Sequence, residues 1–217
     1  MTSIRQRLYS TIAGQLGRPH GLVGRAVARM LNRGNKPAIE AAVESIDVEP
    51  GAVAADIGFG GGAGLHLLLD AVGERGVVHG VEIADDMLAR ARSTFRREVE
   101  AGRLQLSQGS LTALPLDDHV LDKTISVNTI YFVADLDAAF NELARVARPG
   151  GLVAIGFGDP DVMRRMPFTS YGFTLRTVDE VTAALVKAGF QVVKQRRLAA
   201  GPIPVNIVVA QAADFSP

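Results

Sequence analysis

The apolar positions of this chain follow two patterns in turn: short continuous runs, and residues that recur every three or four positions. The runs, bounded by Gly, Pro or charged residues, predict strands at residues 52–57, 76–82, 103–107, 121–127 and 152–157. The recurring residues between most of these runs predict helices with one buried face. Such alternation is typical of a parallel sheet with helices on both faces.

The last two predicted strands depart from that alternation. Runs at 190–197 and 204–210 are joined by a short connection around residues 199–203. A connection of that length cannot hold a helical crossover, so the two strands must pair antiparallel. We therefore predict a seven-stranded α/β sheet in one domain, residues 1–217.

Several residues predict where helices begin and end. We expect Asn35, Asp85 and Asp135 to cap helices at their N-termini, and Thr177 to form a capping box with Glu180. Gly102 and Gly189 are expected to end the helices opened by Asp85 and Thr177. The sequence Pro149-Gly-Gly151 is expected to separate a helix from the fifth strand, and residues 158–176 to be irregular.

Residues 1–34 are predicted to form a helical flap, with an α/β core at 35–217. Residues from Ile4 to Leu16 place an apolar side chain every fourth position, which predicts one apolar helix face. Residues 1–39 carry seven Arg or Lys and no Asp or Glu. We expect the flap to cover the mouth of the active site. The alternative is that it contacts a membrane surface or a lipid-like substrate.

Composition excludes several functions. The 217 residues include no Cys, and the four His show no metal-ligand spacing, so we predict no disulfide and no metal site. No apolar run approaches the roughly 18 residues of a membrane-spanning helix. A chain without Cys suits a reducing compartment, and we expect a cytoplasmic protein. Nucleic acid is not an expected partner, because aromatic residues are few and are not interleaved with the basic ones.

A glycine-rich stretch after the first predicted strand is the strongest candidate for a binding site. Five of the seven residues from 58 to 64 are Gly. Glycine lets the backbone approach a ligand, and the helix that follows directs its N-terminus at it. The spacing Gly58-x-Gly60-x-x-Ala63 fits the dinucleotide fingerprint of Rossmann dehydrogenases. The spacing Asp56-x-Gly58-x-Gly60-x-Gly62 resembles the first motif of class I S-adenosylmethionine (SAM)-dependent methyltransferases.

Further segments extend this second resemblance over residues 36–190. The chain resembles the type 11 methyltransferases, typified by enzymes of the ubiquinone and menaquinone pathways. Four segments in the family's order carry the resemblance: Asp56–Gly62, Val81–Met87, Leu114–Asp122 and Arg145–Gly151. It implies SAM as cofactor and a Rossmann-like, doubly wound sheet of strand order 3-2-1-4-5-7-6 with strand 7 antiparallel.

The resemblance also implies which residues bind SAM. Glu82 would accept hydrogen bonds from the ribose hydroxyls, and Ile83 and Met87 would form an apolar wall for the adenine ring. Ser110 stands where the family often has an acid, so the Leu111 backbone N–H is the expected adenine contact. The predicted cofactor-binding residues are Asp56, Gly58, Phe59, Gly60, Gly62, Glu82, Ile83, Met87, Ser110, Leu111 and Asn128. We expect the Arg145–Gly151 segment to support the fold without touching a ligand.

Methyl transfer would proceed by in-line displacement and release S-adenosylhomocysteine (SAH). The methyl group of SAM is already activated, so the protein mainly has to orient the nucleophile in a site without water. A hydroxyl or carbon acceptor would also need a general base, for which the candidate catalytic residues are His20, Tyr131 and Tyr171, with His119 a fourth candidate. Met and aromatic residues within 158–175 predict a pocket for a small, apolar acceptor.

Two other functions remain as alternatives. The first is a nicotinamide-dependent Rossmann oxidoreductase, although no Tyr is followed four residues later by Lys, the catalytic pair of short-chain dehydrogenases. The second is a methyltransferase-like fold that binds a partner or a membrane surface without turnover.

Overall fold

The computed structural model describes residues 34–167, 169–170, 172–199 and 203–213. The flap predicted for residues 1–34 therefore lies almost entirely outside the described residues. Seven strands are present in the described part: β1 Val53–Ile57, β2 Val77–Glu82, β3 Leu104–Gln108, β4 Leu121–Val127, β5 Ala147–Gly158, β6 Phe190–Leu198 and β7 Val205–Ala212. Each lies at or within a few residues of its predicted position.

The strands form one sheet in the order β3-β2-β1-β4-β5-β7-β6. The pairs β1–β2, β1–β4, β2–β3 and β4–β5 are parallel. Strand β7 runs antiparallel to both β5 and β6. The predicted order and the antiparallel last strand are thus confirmed. The order reverses between β1 and β4, and open α/β sheets bind ligands at the carboxyl edge of such a switch point.

Helices cover both faces of the sheet. The described chain opens with α1, over residues 34–45. The others are α2 Ala63–Val72, α3 Asp85–Thr94, α4 Arg96–Glu100, α5 Leu136–Val146, α6 Pro160–Met163 and α7 Val178–Lys187. None of the described helices has the length and apolar character needed to cross a membrane.

Each face of the sheet has its own apolar core. Phe140 of α5 and Leu185 of α7 belong to one cluster, and Leu68 of α2 and Leu88 of α3 belong to the other. Strand β1 serves both, since Ala54 lies in one cluster and Ala55 in the other. Strands buried on both faces are continuously apolar, which is why sequence pattern located them well.

Several predicted helix ends are confirmed and others are wrong. Asp135 caps α5 by accepting a hydrogen bond from Ala138 N, and Thr177 forms the predicted capping box. Asn35 does not cap a helix, because residue 34 before it is already helical. Asp85 is the first residue of α3, and the capping position is Ala84, without a side-chain hydrogen bond.

Two segments differ from their predicted form. The helix expected from Asp85 to Gly102 is interrupted at Phe95, which separates α3 from α4. Residues 149–151 do not precede β5 but lie within it. The pairing with β4 shifts there, from Leu121 opposite Ala147 to Lys123 opposite Leu152, so the Pro-Gly-Gly sequence forms an irregularity inside the strand. Residues 158–176, predicted to be irregular, contain the short helix α6.

Candidate cofactor-binding site

The glycine loop between β1 and α2 is packed on one side and open on the other. Gly58, Gly60 and Gly62 all have positive φ, at 75°, 50° and 85°. A Cβ at Gly58 would clash with the side chain of Thr129, which follows β4. A Cβ at Gly60 would meet nothing within 4 Å. The loop therefore closes against β4 at Gly58 and leaves space for a ligand at Gly60.

The Glu82 carboxylate, at the end of β2, holds this loop in place. Its Oε2 accepts a hydrogen bond from Gly60 N at 2.9 Å. Its Oε1 accepts from Ile83 N at 2.8 Å and from Ala84 N at 3.1 Å. Two carboxylate oxygens accept about four hydrogen bonds in all, so Oε2 retains capacity for a ligand hydroxyl.

Asp56 is a buried acid beneath the loop. It is 4% exposed, and its carboxylate packs against Gly64 in the first turn of α2, where a Cβ would clash. No described residue donates a hydrogen bond to it. Burial, and secondarily the negative charge of Glu82, raise the pKa of Asp56 to about 8. The carboxyl group is thus largely protonated at neutral pH, and a cation bound nearby would favour its ionised form.

The residues predicted to surround adenine divide into exposed and buried ones. Ile83 is 42% exposed and offers an apolar surface at the end of β2. Ser110 is half-buried, and its hydroxyl shares a hydrogen bond with Thr112. Phe59, Met87 and Leu111 are buried, with Met87 only 1% exposed. The side chain of Met87 packs in the core and offers no surface to a ring, so the predicted wall is left to Ile83.

Asn128 and Tyr131 form a hydrogen-bonded unit after β4. Asn128 has φ +60°, and the Tyr131 hydroxyl donates to its Oδ1 at 3.0 Å. The same hydroxyl accepts a hydrogen bond from Gly158 N. Tyr131 is 4% exposed, and burial raises the pKa of its phenol above the ordinary value. The phenolate that a general base requires is therefore disfavoured here, and the catalytic role of Tyr131 stays a prediction.

Known proteins match the segment that contains these residues. Residues 55–155 match the family model described as a methyltransferase domain, of type 11. This segment is a methyltransferase domain. The resemblance to class I SAM-dependent methyltransferases is thereby confirmed, and the oxidoreductase alternative is not favoured.

Individual relatives agree with this family. The chain is 30% identical over 156 residues to an arsenite methyltransferase of Halobacterium salinarum, covering 67% of this chain and 39% of the relative. It is 32% identical over 134 residues to a ubiquinone/menaquinone biosynthesis C-methyltransferase of Shewanella woodyi, covering 60% and 53%. The chain thus spans about half or less of the length of these curated relatives.

A solved structure shows the same fold at lower sequence identity. A SAM-dependent methyltransferase from Aquifex aeolicus superposes with a TM-score of 0.71 at 21% identity, covering 87% of this chain and 98% of that one. The two proteins therefore share the fold over 87% of this chain.

Of the other candidate bases, His119 lies away from the glycine loop. His119 precedes β4, so it lies at the amino edge of the sheet, opposite the glycine loop, and its Nδ1 is 3.0 Å from Ala147 O. His20 and Tyr171 lie outside the described residues. Among the described residues, no group of three or more His, Asp or Glu could hold a metal ion.

Arg145 of α5 fixes the loop before β4. Its guanidinium donates to Leu114 O at 3.0 Å and to Leu116 O at 2.8 Å. It also pairs with Asp118 and Glu142. None of these partners is a predicted cofactor contact. The arrangement agrees with the supporting role predicted for this segment of the methyltransferase domain.

We expect Arg145→Ala to lower the free energy of unfolding by about 2–3 kcal/mol, because two loop carbonyls and two carboxylates lose their donor. Arg145→Lys should restore less than half of this loss, since an ammonium lacks the planar fork. Urea unfolding would measure both. Arg92→Ala, at an exposed arginine of α3, is the control, with an expected change within about 0.5 kcal/mol. Equal losses at both positions would contradict the supporting role.

Proposed function

We propose that this protein transfers a methyl group from SAM to a small, apolar acceptor. The observation that carries the proposal is the Glu82 carboxylate. It holds Gly60 at the switch point, and its Oε2 can accept one more hydrogen bond, from a ligand hydroxyl. When bound, SAM supplies a methyl group activated by its sulfonium sulfur. The nucleophile of the acceptor displaces it in line, with SAH as the second product.

The residues fit this cofactor at three points. Glu82 would accept hydrogen bonds from the ribose. The exposed side chain of Ile83 would pack against the adenine ring. Asp56, whose carboxylate receives no hydrogen bond from a described residue, would lie near the positively charged end of SAM. A buried acid without a partner is costly, and a cationic ligand offsets that cost.

An apolar acceptor is supported by aromatic side chains at the same edge of the sheet. Phe132 is 40% exposed. Its ring centroid lies 4.9 Å from that of Phe173, which in turn lies 5.5 Å from that of Tyr131. This cluster begins three residues after Asn128 and provides an apolar surface next to the proposed site of the methyl group.

Of the acceptors suggested by the relatives' names, one fits the side chains of this protein and one does not. An acceptor like the quinones of the Shewanella woodyi enzyme would match the apolar surface of Phe132 and Phe173. Arsenite would not, because soft centres are bound by thiolates and the sequence contains no Cys. His20 or Tyr171 would serve as base for an acceptor that must lose a proton.

Calorimetric titration with SAM, SAH and NADH tests the proposal. We expect micromolar binding of SAM and SAH and no binding of NADH. Glu82→Gln should weaken SAM binding about tenfold, because an amide NH2 would face backbone N–H groups that the carboxylate now accepts from. Glu74→Gln, at an exposed glutamate, is the matched control and should bind as the wild type does. Binding of NADH with no effect of SAM would overturn the proposal.

A further inference from the structure

A relay of two hydrogen bonds fixes the orientation of the Asn128 side chain. The backbone N–H of Gly158, at the end of β5, donates to the Tyr131 hydroxyl. The hydroxyl accepts that bond and donates its single proton elsewhere, and Asn128 Oδ1 lies 3.0 Å away. If the amide were reversed, the hydroxyl would face two donors and its own proton would have no acceptor. The relay therefore assigns the oxygen of Asn128 to Tyr131 and leaves the NH2 group at the other end.

Asn128 precedes a residue that packs against the glycine loop, and its NH2 group has no partner among the described residues. Asn128 follows β4 directly, and its backbone N–H donates to Gly156 O at 2.8 Å. The next residue, Thr129, packs against Gly58. Asn128 is half-buried, and neither proton of its NH2 group is donated to a described residue. Two oriented N–H donors are thus available at the switch point.

The expected position of the methyl donor, SAM, places its amino-acid end near Asn128. Glu82 ends β2, and β4 lies two strands away across β1, a distance of roughly 10 Å. A donor whose ribose is held at Glu82 and whose adenine lies beyond Ile83 extends its amino-acid end over the glycine loop toward β4. This end carries a carboxylate, which requires hydrogen-bond donors.

The loops around that position offer no basic side chain. Residues 58–64, 83–86 and 128–133, which follow β1, β2 and β4, contain no Lys or Arg. The acids of the site, Asp56 and Glu82, would repel a carboxylate when ionised. Neutral N–H donors are therefore what these segments can provide.

We propose that Tyr131 is a positioning residue that holds Asn128 with its NH2 group toward the cofactor, where this group donates to the carboxylate of the methyl donor. The inference rests on the proposed function and adds to it a role for each residue. It also explains why a tyrosine hydroxyl is kept in a nearly fully buried position. Without the hydroxyl, Gly158 N and Asn128 Oδ1 would both lose their partner, and the carboxamide would be free to turn.

The test compares SAH with 5′-methylthioadenosine, which has the same adenosine and sulfur but lacks the amino-acid end. Calorimetry on the full chain measures both. Asn128→Gly removes the side chain at a positive φ that glycine adopts readily, so the backbone should keep its path. We expect about a tenfold loss of affinity for SAH and a change of less than twofold for 5′-methylthioadenosine. Tyr131→Phe should weaken SAH binding about fivefold, again without affecting the shorter compound.

A double variant separates positioning from mere structural support. If Tyr131 acts through Asn128, Asn128→Gly combined with Tyr131→Phe should bind SAH no more weakly than Asn128→Gly alone. Losses that add, an equal loss for both compounds, or unchanged SAH binding in Asn128→Gly would each overturn the inference. Failure of the proposed function would be seen differently, as wild-type protein that binds neither compound, and the inference would fall with it. Circular dichroism confirms that each variant is folded.

Discussion

Gly60→Val is expected to reduce SAM affinity by a hundredfold or more, whereas Gly102→Val should leave it unchanged. Both glycines have positive φ, at 50° and 72°, and a Cβ at either would meet nothing within 4 Å. Both replacements should therefore destabilise the fold to a similar extent, about 1–3 kcal/mol, through backbone strain. The two replacements differ in whether the added side chain fills the proposed SAM site.

At Gly60 the new side chain would enter the space proposed for the donor. It would also disturb the N–H that donates to Glu82. Gly102 follows α4 on the surface, far along the chain from the glycine loop. Calorimetry with SAM and thermal unfolding of both variants would separate the two effects. Similar SAM affinities in the two variants would show that the open space at Gly60 is not the cofactor site.

The second prediction concerns the pH dependence set by Asp56. Its pKa is raised to about 8 in the folded protein, above the ordinary value of 3.8 that it regains on unfolding. Between these values the folded state binds a proton that the unfolded chain has released. The free energy of unfolding therefore falls as pH rises from about 4 to 8, by up to about 6 kcal/mol in total.

Asp56→Asn removes this titration. The variant should be more stable than the wild type by about 2 kcal/mol at pH 5 and by about 6 kcal/mol at pH 9. Urea unfolding at pH 5, 7 and 9 measures the difference. Asp70→Asn, at an exposed aspartate of α2, is the control and should follow the wild type at each pH. A difference between wild type and Asp56→Asn that does not grow with pH would contradict the expectation.

The same acid should couple donor binding to proton release. A cationic donor stabilises the ionised carboxylate and lowers the pKa of Asp56, so SAM should bind more tightly as pH rises from 6 to 9. Calorimetry in two buffers of different ionisation enthalpy would show protons released by the wild type at pH 7 and none by Asp56→Asn. Equal buffer dependence of the two proteins would place the positive charge of the donor away from Asp56.

The sheet could be predicted from sequence because its evidence is local. Buried parallel strands are continuously apolar, and the short connection before β7 leaves only antiparallel pairing. The capping box at Thr177 is local in the same way. Asp85 failed as a cap because an acid is favourable both before a helix and in its first turn, and the pattern alone does not distinguish these positions.

The site could be predicted only in part because its geometry depends on distant partners. Glu82 was located by its position at a strand end, but its hydrogen bond to Gly60 crosses 22 residues. Tyr131 was one of several candidate bases, chosen for the chemistry of its side chain and not for its partners. Its partner Gly158 is 27 residues away, and no local pattern relates the two. Met87 shows the same difficulty, since a helix periodicity indicates a buried face without saying whether a ligand reaches it.

The proposed ribose contact of Glu82, added to its observed hydrogen bond with Gly60 N, bears on any redesign of this protein to accept bulkier synthetic methyl donors. Enlarging the sugar pocket at Glu82 would also release the glycine loop, so tolerance of a modified ribose would come with a less ordered site. Ile83, whose side chain projects outward and makes none of the clamping bonds, is the safer starting position. Analogues altered on the base should therefore be easier to accommodate than analogues altered on the sugar.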